Sequence, residues 1–370
     1  MSKQAAIIGG GITGLSLAYF FLKKGIRATV FEKEGHLGGA ASTFKIENAQ
    51  LERFYHHFFA QDSASIGLLD ELGILDKLYW VYPRMGFFHQ TKIYPFTTPL
   101  DLLAFKPLSF VERVKFGWFG LQAKKRVDWY PLENMTAEKW LTKKIGQPLY
   151  EKVWEPMLRA KFGKQASQIP ASWVWSRLRA RAKSRGRLGT REKLGYLRGS
   201  YKVLMDALAE KIVKLGGEIK LNSGTGIFPL PGFDFTIITT PNAYRIPQIE
   251  YLGNICLVLK LRESLSKFYW TNIADPKIPF CAMIEQTNAF EDPGYNGYKI
   301  LYLSNYVDQA DPIWNLTDQE LSAKYLKGLQ RLKSGFSEDE VAEYFVFREK
   351  YAQPLPTLGH SQKIPPFQVG

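Results

Sequence analysis

Short apolar runs and one longer helical pattern alternate at the start of the chain. Residues 5–8 are all apolar and predict a buried strand, and residues 28–31 predict a second strand. Between them, residues 15–24 are mostly apolar over a length that suits a helix, and Gly25 stands where helices commonly end. The pattern therefore predicts a strand–helix–strand unit.

A glycine-rich turn joins the first predicted strand to the helix. It consists of Gly9, Gly10, Gly11, Ile12, Thr13 and Gly14. Gly9 allows a tight turn, Gly11 lets the backbone approach a pyrophosphate, and Gly14 lets the helix pack closely on the strand. Phosphates are favoured at the helix N-terminus, where unpaired N–H groups and the helix dipole attract negative charge. The turn therefore predicts a dinucleotide site.

An acidic residue completes this dinucleotide pattern. Glu32 ends the second strand, at the expected distance of about 20 residues, where a carboxylate can accept hydrogen bonds from ribose hydroxyls. Because an acid at this position disfavours a 2′-phosphate, NADP is not the expected occupant.

A second glycine-rich loop follows directly behind Glu32. It spans residues 33–42 and contains the pair Gly38-Gly39. A site for NAD alone has no particular use for this second pair, whereas FAD extends past the first helix and needs another close backbone approach. FAD is therefore the predicted cofactor. The predicted cofactor-binding residues are Gly9, Gly10, Gly11, Ile12, Thr13, Gly14, Glu32, Lys33, Gly38, Gly39, Ala40, Thr225 and Thr240.

The pattern changes twice further along the chain. Residues 95–187 have a mainly helical pattern, and strand patterns return after Gly195. Helices are predicted at 203–214 and near 322–332, and strands at 218–221, 234–241, 255–261, 298–303 and 341–347.

These elements predict an α/β fold built on a discontinuous, Rossmann-like FAD/NAD(P)-binding domain. Its two parts are 1–85 and 195–245. A substrate domain of α+β type is inserted, with a helical part in 86–194 and a mixed-sheet part in 246–350. Residues 351–370 are predicted to return towards the FAD domain.

The chain has 370 residues and a formal net charge of +14, and part of that charge lies in one nearly acid-free run. The basic residues of this run are Arg177, Arg179, Arg181, Lys183, Arg185, Arg187, Arg191 and Lys193. The run is compatible with a solvated basic face, with attraction to an anionic membrane surface, or with an acidic substrate. Nucleic acid is not an expected partner, because no recognition motif accompanies the charge.

The positions of the cysteines and histidines limit the kinds of disulfide or metal site that the chain can form. Cys256 and Cys281 lack CxxC spacing, which disfavours a disulfide framework or zinc site and suits a reducing compartment. The histidines show no metal-ligand spacing, so no metal is predicted. The chain has no run of about 18 apolar residues, so no membrane span is expected.

The expected location is the cytoplasm, because the apolar N-terminal stretch lacks a signal-peptide cleavage site. Peripheral association with the inner membrane face is a further option. Aromatic and basic residues interleave within 105–129, and such a helix can lie on a membrane interface or can simply pack in a core.

With both glycine loops, Glu32, the helical insertion and the returning strand, the chain resembles the FAD-dependent amine oxidase superfamily. Within that superfamily it is most similar to the protoporphyrinogen oxidase and phytoene desaturase-like oxidoreductases. The segment 154–163 looks like the family segment that passes the flavin, and the segment 195–200 is similar to the family's re-entry into the nucleotide domain. The resemblance implies bound FAD and hydride transfer from a substrate to flavin.

Family members normally close with a strand and a Gly-Asp or similar helix N-terminus that binds the flavin's pyrophosphate. This chain stops at residues 365–370 without such a motif. The expectation from the sequence is truncation, because residues 354–370 look like the approach to the missing strand. The alternative is that fewer contacts hold the flavin.

Candidates for the flavin front follow the second glycine loop and lie on the segment expected to pass the ring. Tyr55, His56 and His57 are the catalytic candidates, since a histidine near its ordinary pKa of about 6.5 can move a proton. Arg159 and Lys161 are candidates for anchoring a substrate carboxylate or phosphate. A structural role for the histidines, and a solvated one for the two cations, stay open.

The leading hypothesis is an FAD-dependent oxidase, dehydrogenase or desaturase acting on an apolar or amphipathic small molecule. Tryptophans of the inserted domain could line its pocket or could be packing; they are Trp118, Trp129, Trp140, Trp154, Trp173 and Trp175. One alternative is non-redox flavin chemistry as in UDP-galactopyranose mutase, with Arg159, Arg177 or Arg179 holding a diphosphate. The other is a truncated or degenerate flavoprotein without catalysis.

Overall fold

The computed structural model describes residues 3–123, 127–185, 191–226, 229–241 and 249–363. The strands are β1 Gln4–Ile8, β2 Arg27–Phe31, β3 Thr43–Ile46, β4 Ala49–Glu52, β5 Phe58–Phe59, β6 Leu78–Val81, β7 Met85–His89, β8 Lys92–Pro95, β9 Leu194–Leu197, β10 Glu218–Lys220, β11 Phe235–Ile238, β12 Tyr251–Leu261, β13 Trp270–Ile273, β14 Ala282–Glu285, β15 Lys299–Val307 and β16 Val341–Pro354. The helices are α1 Ile12–Lys23, α2 Ser63–Leu72, α3 Pro99–Leu103, α4 Phe110–Gln122, α5 Tyr130–Glu133, α6 Ala137–Ile145, α7 Gln147–Leu149, α8 Glu155–Phe162, α9 Ala171–Ser184, α10 Lys202–Lys214, α11 Asp318–Leu332 and α12 His360–Lys363.

The N-terminal unit is a parallel sheet in the order β10-β2-β1-β11. β1 lies in its interior, and Ala5, Ala6 and Ile7 have no exposed surface, which explains the purely apolar run. α1 begins after Gly11 and packs against α10, so two helices cover this sheet. The predicted strand–helix–strand unit and the Rossmann-like fold class are confirmed.

A larger sheet has the order β16-β12-β15-β14-β13-β7-β8. Its pairings are antiparallel except for β13 with β7. α11 begins with a capping box between Thr317 and Glu320 and packs Leu321, Tyr325 and Leu329 into the core under this sheet. The predicted strands in 255–261, 298–303 and 341–347 all lie here. β7 and β8 were not identified from the sequence, and they join this sheet through β13.

Helices α3 to α9 form a separate layer with its own apolar core. Trp140, Trp154 and Trp175 are buried in that core, so they pack it rather than line an open pocket. Trp118 and Trp129 are instead exposed by 64% and 45% of their surface. A five-residue π-helical turn, Tyr150–Trp154, leads directly into α8.

Strand β9 brings the chain back from the helical layer to the nucleotide unit. It is buried along its whole length and pairs with both β5 and β6. The described residues after β16 contact the helical layer: the Gly359 N–H donates to the Glu133 carbonyl at 3.2 Å, and the Ser361 N–H donates to Glu133 Oε1 at 2.9 Å. Residues 364–370, and the predicted basic residue Arg187, lie outside the described residues.

Candidate functional site

The two glycine loops lie against each other. The Gly38 N–H donates to the Gly10 carbonyl at 2.9 Å, and Gly11 and Gly38 form a parallel bridge. Gly9 and Gly38 have φ values of 111° and 117°, a region that L side chains rarely adopt. Both predicted loops therefore belong to one continuous backbone surface at the start of α1.

Steric contacts explain why this surface needs glycine. A Cβ at Gly14 would lie 2.0 Å from the Gly9 carbonyl oxygen, and a Cβ at Gly9 would lie 2.8 Å from Thr239 Oγ1. At Gly11, by contrast, the nearest atoms to a Cβ would be 3.9 Å away, in Gly38 and Gly39. The backbone is thus tightly packed below the turn and open between the two loops, which fits the close approach of a pyrophosphate.

Glu32 closes one end of this surface. Its Oε2 accepts the Gly10 N–H at 2.6 Å, and its Oε1 accepts the Glu34 N–H at 2.9 Å. The residue is 8% exposed. Each carboxylate oxygen uses one acceptor position on the backbone and retains another, so the group is held in place and can still accept from ribose hydroxyls.

The remaining predicted cofactor residues surround the same turn. Ile12 and Thr13 are the first residues of α1, and Ala40 lies exposed in the short turn Gly39–Ala41. Thr240 is next to the turn, since its Cγ2 would lie 3.0 Å from a Cβ at Gly9. Lys33 is exposed and pairs with Glu34 at 3.3 Å.

Thr225 belongs to a loop that runs along the end of β2. The Ser223 N–H donates to the Glu32 carbonyl at 2.8 Å, and Gly224 lies beside Lys33. The loop therefore borders the predicted adenosine end of the site. On the neighbouring strand end, Thr239 Oγ1 donates to the Ile8 carbonyl at 2.9 Å.

A backbone hydrogen bond holds the segment with the catalytic candidates next to the second glycine loop. The Arg53 N–H donates to the Ser42 carbonyl at 3.0 Å, so the segment holding Tyr55, His56 and His57 starts beside the second glycine loop. These three side chains are half-buried. Tyr55 contacts Trp270 edge-on with ring centroids 4.8 Å apart.

The two histidines have different partners. His56 Nδ1 lies 2.6 Å from the Phe54 carbonyl oxygen, which can only accept, so Nδ1 carries the proton. His57 Nδ1 lies 3.2 Å from the Tyr269 hydroxyl. Burial lowers the pKa of His56, and burial, His56 and Arg181 together lower the pKa of His57 to about 3. The histidines are therefore neutral at pH 7, unlike the near-ordinary pKa expected from the sequence.

Lys161 reaches the Tyr55 side of the site from α8. Its Nζ lies 3.5 Å from the ring centroid of Tyr306, whose hydroxyl is 3.4 Å from the Tyr55 hydroxyl. Burial raises the pKa of Tyr55 well above its ordinary value, and the nearby Tyr306 adds to this. Tyr55 therefore remains an uncharged phenol beside a cation.

Two arginines of α9, Arg177 and Arg181, lie near the candidate residues Tyr55 and His57. Arg177 and Arg181 are four residues apart, on one side of the helix. Arg177 is exposed, its guanidinium lies over the Trp173 ring at 5.5 Å, and partial burial lowers its pKa. Tyr306 and Tyr55 are among the groups that act on it. Within the described part of the chain, none of Lys161, Arg177 and Arg181 forms an ion pair with an acid.

The structure does not bring Arg159 close to Tyr55 and Tyr306. Its side chain is 71% exposed and pairs with Glu155 at 2.8 Å along α8. Arg179, two residues beyond Arg177 on α9, lies over the Trp175 ring at 5.0 Å. Of the predicted anchors, Lys161 is the one beside Tyr55.

Sequence reasoning missed a buried acid close to these residues. Glu52 ends β4 without exposed surface, and it accepts the Tyr196 hydroxyl at 2.5 Å and the Tyr201 N–H at 2.7 Å. Burial raises the pKa of Glu52 to about 7, although both hydrogen bonds act in the opposite direction. The glutamate stands three residues before Tyr55, but its partners come from residues 196–201, so no local signal marked it.

Comparisons with known proteins give relatives of several activities. Coproporphyrinogen III oxidase of Propionibacterium freudenreichii subsp. freudenreichii is 25% identical over 190 residues, covering 47% of this chain and 34% of that protein. The 15-cis-phytoene desaturase of Synechococcus elongatus is 26% identical over 266 residues, covering 67% of this chain and 54% of that protein. The chain thus spans about one third and one half of the length of these two relatives.

A solved structure shows the same fold. Reduced UDP-galactopyranose mutase superposes with a TM-score of 0.73 at 15% identity, covering 98% of this chain and 86% of that one. The sequence profile of the flavin containing amine oxidoreductases matches residues 12–224, more than half of this chain. The predicted resemblance and the assignment of FAD as cofactor are confirmed. The chain belongs to the flavin-containing amine oxidoreductase family.

Proposed function

We propose that the protein is an FAD-dependent oxidoreductase that removes hydride from an apolar or amphipathic small molecule. The observation that carries this proposal is the bond between Arg53 and Ser42. That bond brings the start of the Tyr55 segment beside the second glycine loop, which supports an active site where the two meet. When bound, FAD supplies the hydride acceptor, and the protein supplies binding, orientation and electrostatics.

The residues that would hold FAD are those of the two loops and their borders. The open backbone at Gly11 and Gly39 suits the pyrophosphate, Gly38 forms the tight turn beside them, and Glu32 suits the ribose of the adenosine. Ile12, Thr13 and Gly14 place the α1 N-terminus at the phosphates. Lys33, Ala40, Thr225 and Thr240 border the same groove.

In this proposal Tyr55, His56 and His57 orient the substrate and exclude water. The lowered pKa values of the histidines and the raised pKa of Tyr55 keep all three neutral at pH 7. Neutral side chains put no fixed charge next to the substrate bond that is oxidised. The unprotonated Nε2 of His56 remains available as a hydrogen-bond acceptor.

Lys161 and Arg177 would bind an acidic end of the substrate. Lys161 lies over the Tyr306 ring, Tyr306 and Tyr55 act electrostatically on Arg177, and neither cation has a described acidic partner. A carboxylate or phosphate would pair with them through charge-assisted hydrogen bonds. An amphipathic acid would therefore lie with its anionic end at Lys161 and its apolar part against the aromatic rings.

The test starts with the visible absorption spectrum of the purified chain, with and without added FAD. The protein is then mixed anaerobically with coproporphyrinogen III, the substrate named by one relative, and with 15-cis-phytoene, named by another. Bleaching of the flavin by one of them supports the proposal. A chain that binds FAD and is bleached only by dithionite, whatever compound of this kind is offered, contradicts it.

A second candidate is non-redox chemistry on a nucleotide sugar, as in UDP-galactopyranose mutase. The observation in its favour is the pair Arg177 and Arg181 on one face of α9, because two guanidinium groups suit a diphosphate. Thermal protection by UDP that is lost in Arg177→Gln would favour this candidate. Stoichiometric binding of FAD would in turn exclude a degenerate flavoprotein.

We place the protein in a reducing compartment such as the cytoplasm, with peripheral attachment to the inner membrane face as the finer proposal. Cys256 and Cys281 are both free thiols, which supports this location. No helix in the described part of the chain is long and apolar enough to cross a bilayer.

A further inference from the structure

Exposed apolar side chains are concentrated on α3 and α4. Half of the large hydrophobic side chains that are exposed in the described part of the chain lie between residues 100 and 130. We use the name α3–α4 surface for seven of them, whose exposed fractions run from 45% to 75%. They are Leu100, Leu103, Phe110, Val111, Val114, Trp118 and Leu121.

The five residues on α4 occupy one side of the helix. At about 100° per residue, positions 110, 111, 114, 118 and 121 fall within an arc of about 100°. The opposite side carries Phe119, which is buried, and Phe116, which packs on the same core. α4 therefore has two apolar sides, and the protein core covers one of them.

The helices that carry the surface are well anchored. Ser109 and Glu112 form a capping box at the start of α4, and Thr98 and Asp101 form one at the start of α3. Arg113 donates to the Leu103 carbonyl at 2.6 Å and to the Leu108 carbonyl at 2.7 Å, which joins the two helices. The exposed side chains therefore belong to a folded surface.

The charges around the surface favour an anionic partner. Its two acids are already engaged: Asp101 accepts the Thr98 N–H at 2.8 Å, and Glu112 pairs with Lys152 at 2.7 Å. Lys106 and Lys115 are exposed beside the apolar residues. The whole chain carries a formal charge of +14.

We propose that the α3–α4 surface docks on an anionic lipid bilayer, with its apolar side chains in the boundary between headgroups and acyl chains. Soluble proteins rarely leave a contiguous apolar patch of this kind uncovered. A helix with Trp, Phe and Leu on one side and lysines at its flanks has the composition of an interfacial helix. This inference rests on the membrane attachment proposed above and names the surface that makes it, and it does not depend on the proposed reaction.

The test is flotation of the full chain with vesicles of phosphatidylcholine alone and of phosphatidylcholine mixed with phosphatidylglycerol. The expected result is binding to the mixed vesicles that weakens as salt is added. The double variant Phe110→Ser/Trp118→Ser should lose this binding. The matched control Tyr82→Ser/Val213→Ser removes two exposed apolar side chains elsewhere and should float like the unaltered chain.

Two further measurements keep the outcome decisive. Circular dichroism and thermal unfolding must show that the double variant is folded, and Trp118→Phe should remove any blue shift of tryptophan fluorescence caused by vesicles. The proposal is wrong if the folded double variant floats as well as the unaltered chain, or if the unaltered chain does not float. It is also wrong if the chain forms a dimer without lipid that only the double variant disrupts, because a second copy then covers the surface.

Discussion

Glu32 and Gly10 are joined by a 2.6 Å hydrogen bond from the glycine N–H to the carboxylate. The bond links the end of β2 to the turn after β1, and a second one from the Glu34 N–H fixes the other carboxylate oxygen. The acid that is expected to contact the ribose is thus also the residue that holds the glycine turn in place.

Glu32→Gln should weaken the binding of FAD. The amide can no longer accept two backbone N–H groups and the ribose together, and the loss of one charge-assisted hydrogen bond corresponds to a Kd higher by about 10- to 100-fold. Fluorescence titration of the apoprotein with FAD measures this. Glu34→Gln, at an exposed position next to Lys33, is the control and should leave the Kd unchanged.

Gly14→Ala should prevent FAD binding and destabilise the fold. The new Cβ would lie 2.0 Å from the Gly9 carbonyl oxygen, so α1 must move away from β1. We expect a cost of about 3 kcal/mol or more in the free energy of unfolding. Denaturant unfolding and the flavin content after purification test this. Gly67→Ala in α2, where a Cβ would meet nothing within 4 Å, should retain both properties.

Glu52 should make the stability of the protein fall between about pH 4.5 and pH 7. Its pKa is about 7 in the folded protein against an ordinary value of 4.5, so the native state binds more protons in this window. The contribution is fully present below pH 4.5 and is lost as the pH rises through 7. Its size is about 3 kcal/mol.

Glu52→Gln tests this pH dependence, because the amide stays neutral. The difference in Tm between the unaltered chain and the variant should change steadily across the window and level off on both sides. A difference that stays constant from pH 4.5 to 7.5 would show that Glu52 does not titrate as inferred.

Protonation of His57 should lower the stability of the protein as the pH falls, which is the opposite pH dependence to that of Glu52. Its pKa is about 3 in the folded protein against an ordinary value of 6.5, so its contribution is present above pH 6.5 and is lost as the pH falls towards 3. In His57→Gln, the loss of Tm on acidification should be smaller. His89→Gln, at the end of β7, serves as the matched control for removing an imidazole, and an equal effect there would contradict the assignment.

Lys161→Gln should raise KM for an acidic substrate more than it lowers kcat. In the proposal the ammonium group binds the anionic end and does not take part in hydride transfer, so its removal weakens binding in ground and transition states alike. Steady-state kinetics on any substrate that bleaches the flavin measures both constants. Arg159→Gln, which removes an exposed cation paired with Glu155, should change neither.

The sequence by itself was enough to predict the local geometry of the glycine loops and Glu32. Gly9, Gly11, Gly14 and Glu32 act through local geometry: a turn, a helix start and the end of the adjacent strand, all within a short stretch of chain. Local geometry depends on neighbours along the chain, so residue type and spacing are sufficient to predict it. The second glycine pair could be predicted for the same reason.

Only the tertiary structure decided which residues lie around Tyr55. Tyr55 meets Tyr306 although 251 positions separate them, and Lys161 joins them from a different helix. It also set Lys161 against Tyr306 while Arg159, on the same helix, stayed on the surface. Such contacts and pKa shifts arise from packing and desolvation between distant segments, and no pattern of neighbouring residues encodes them.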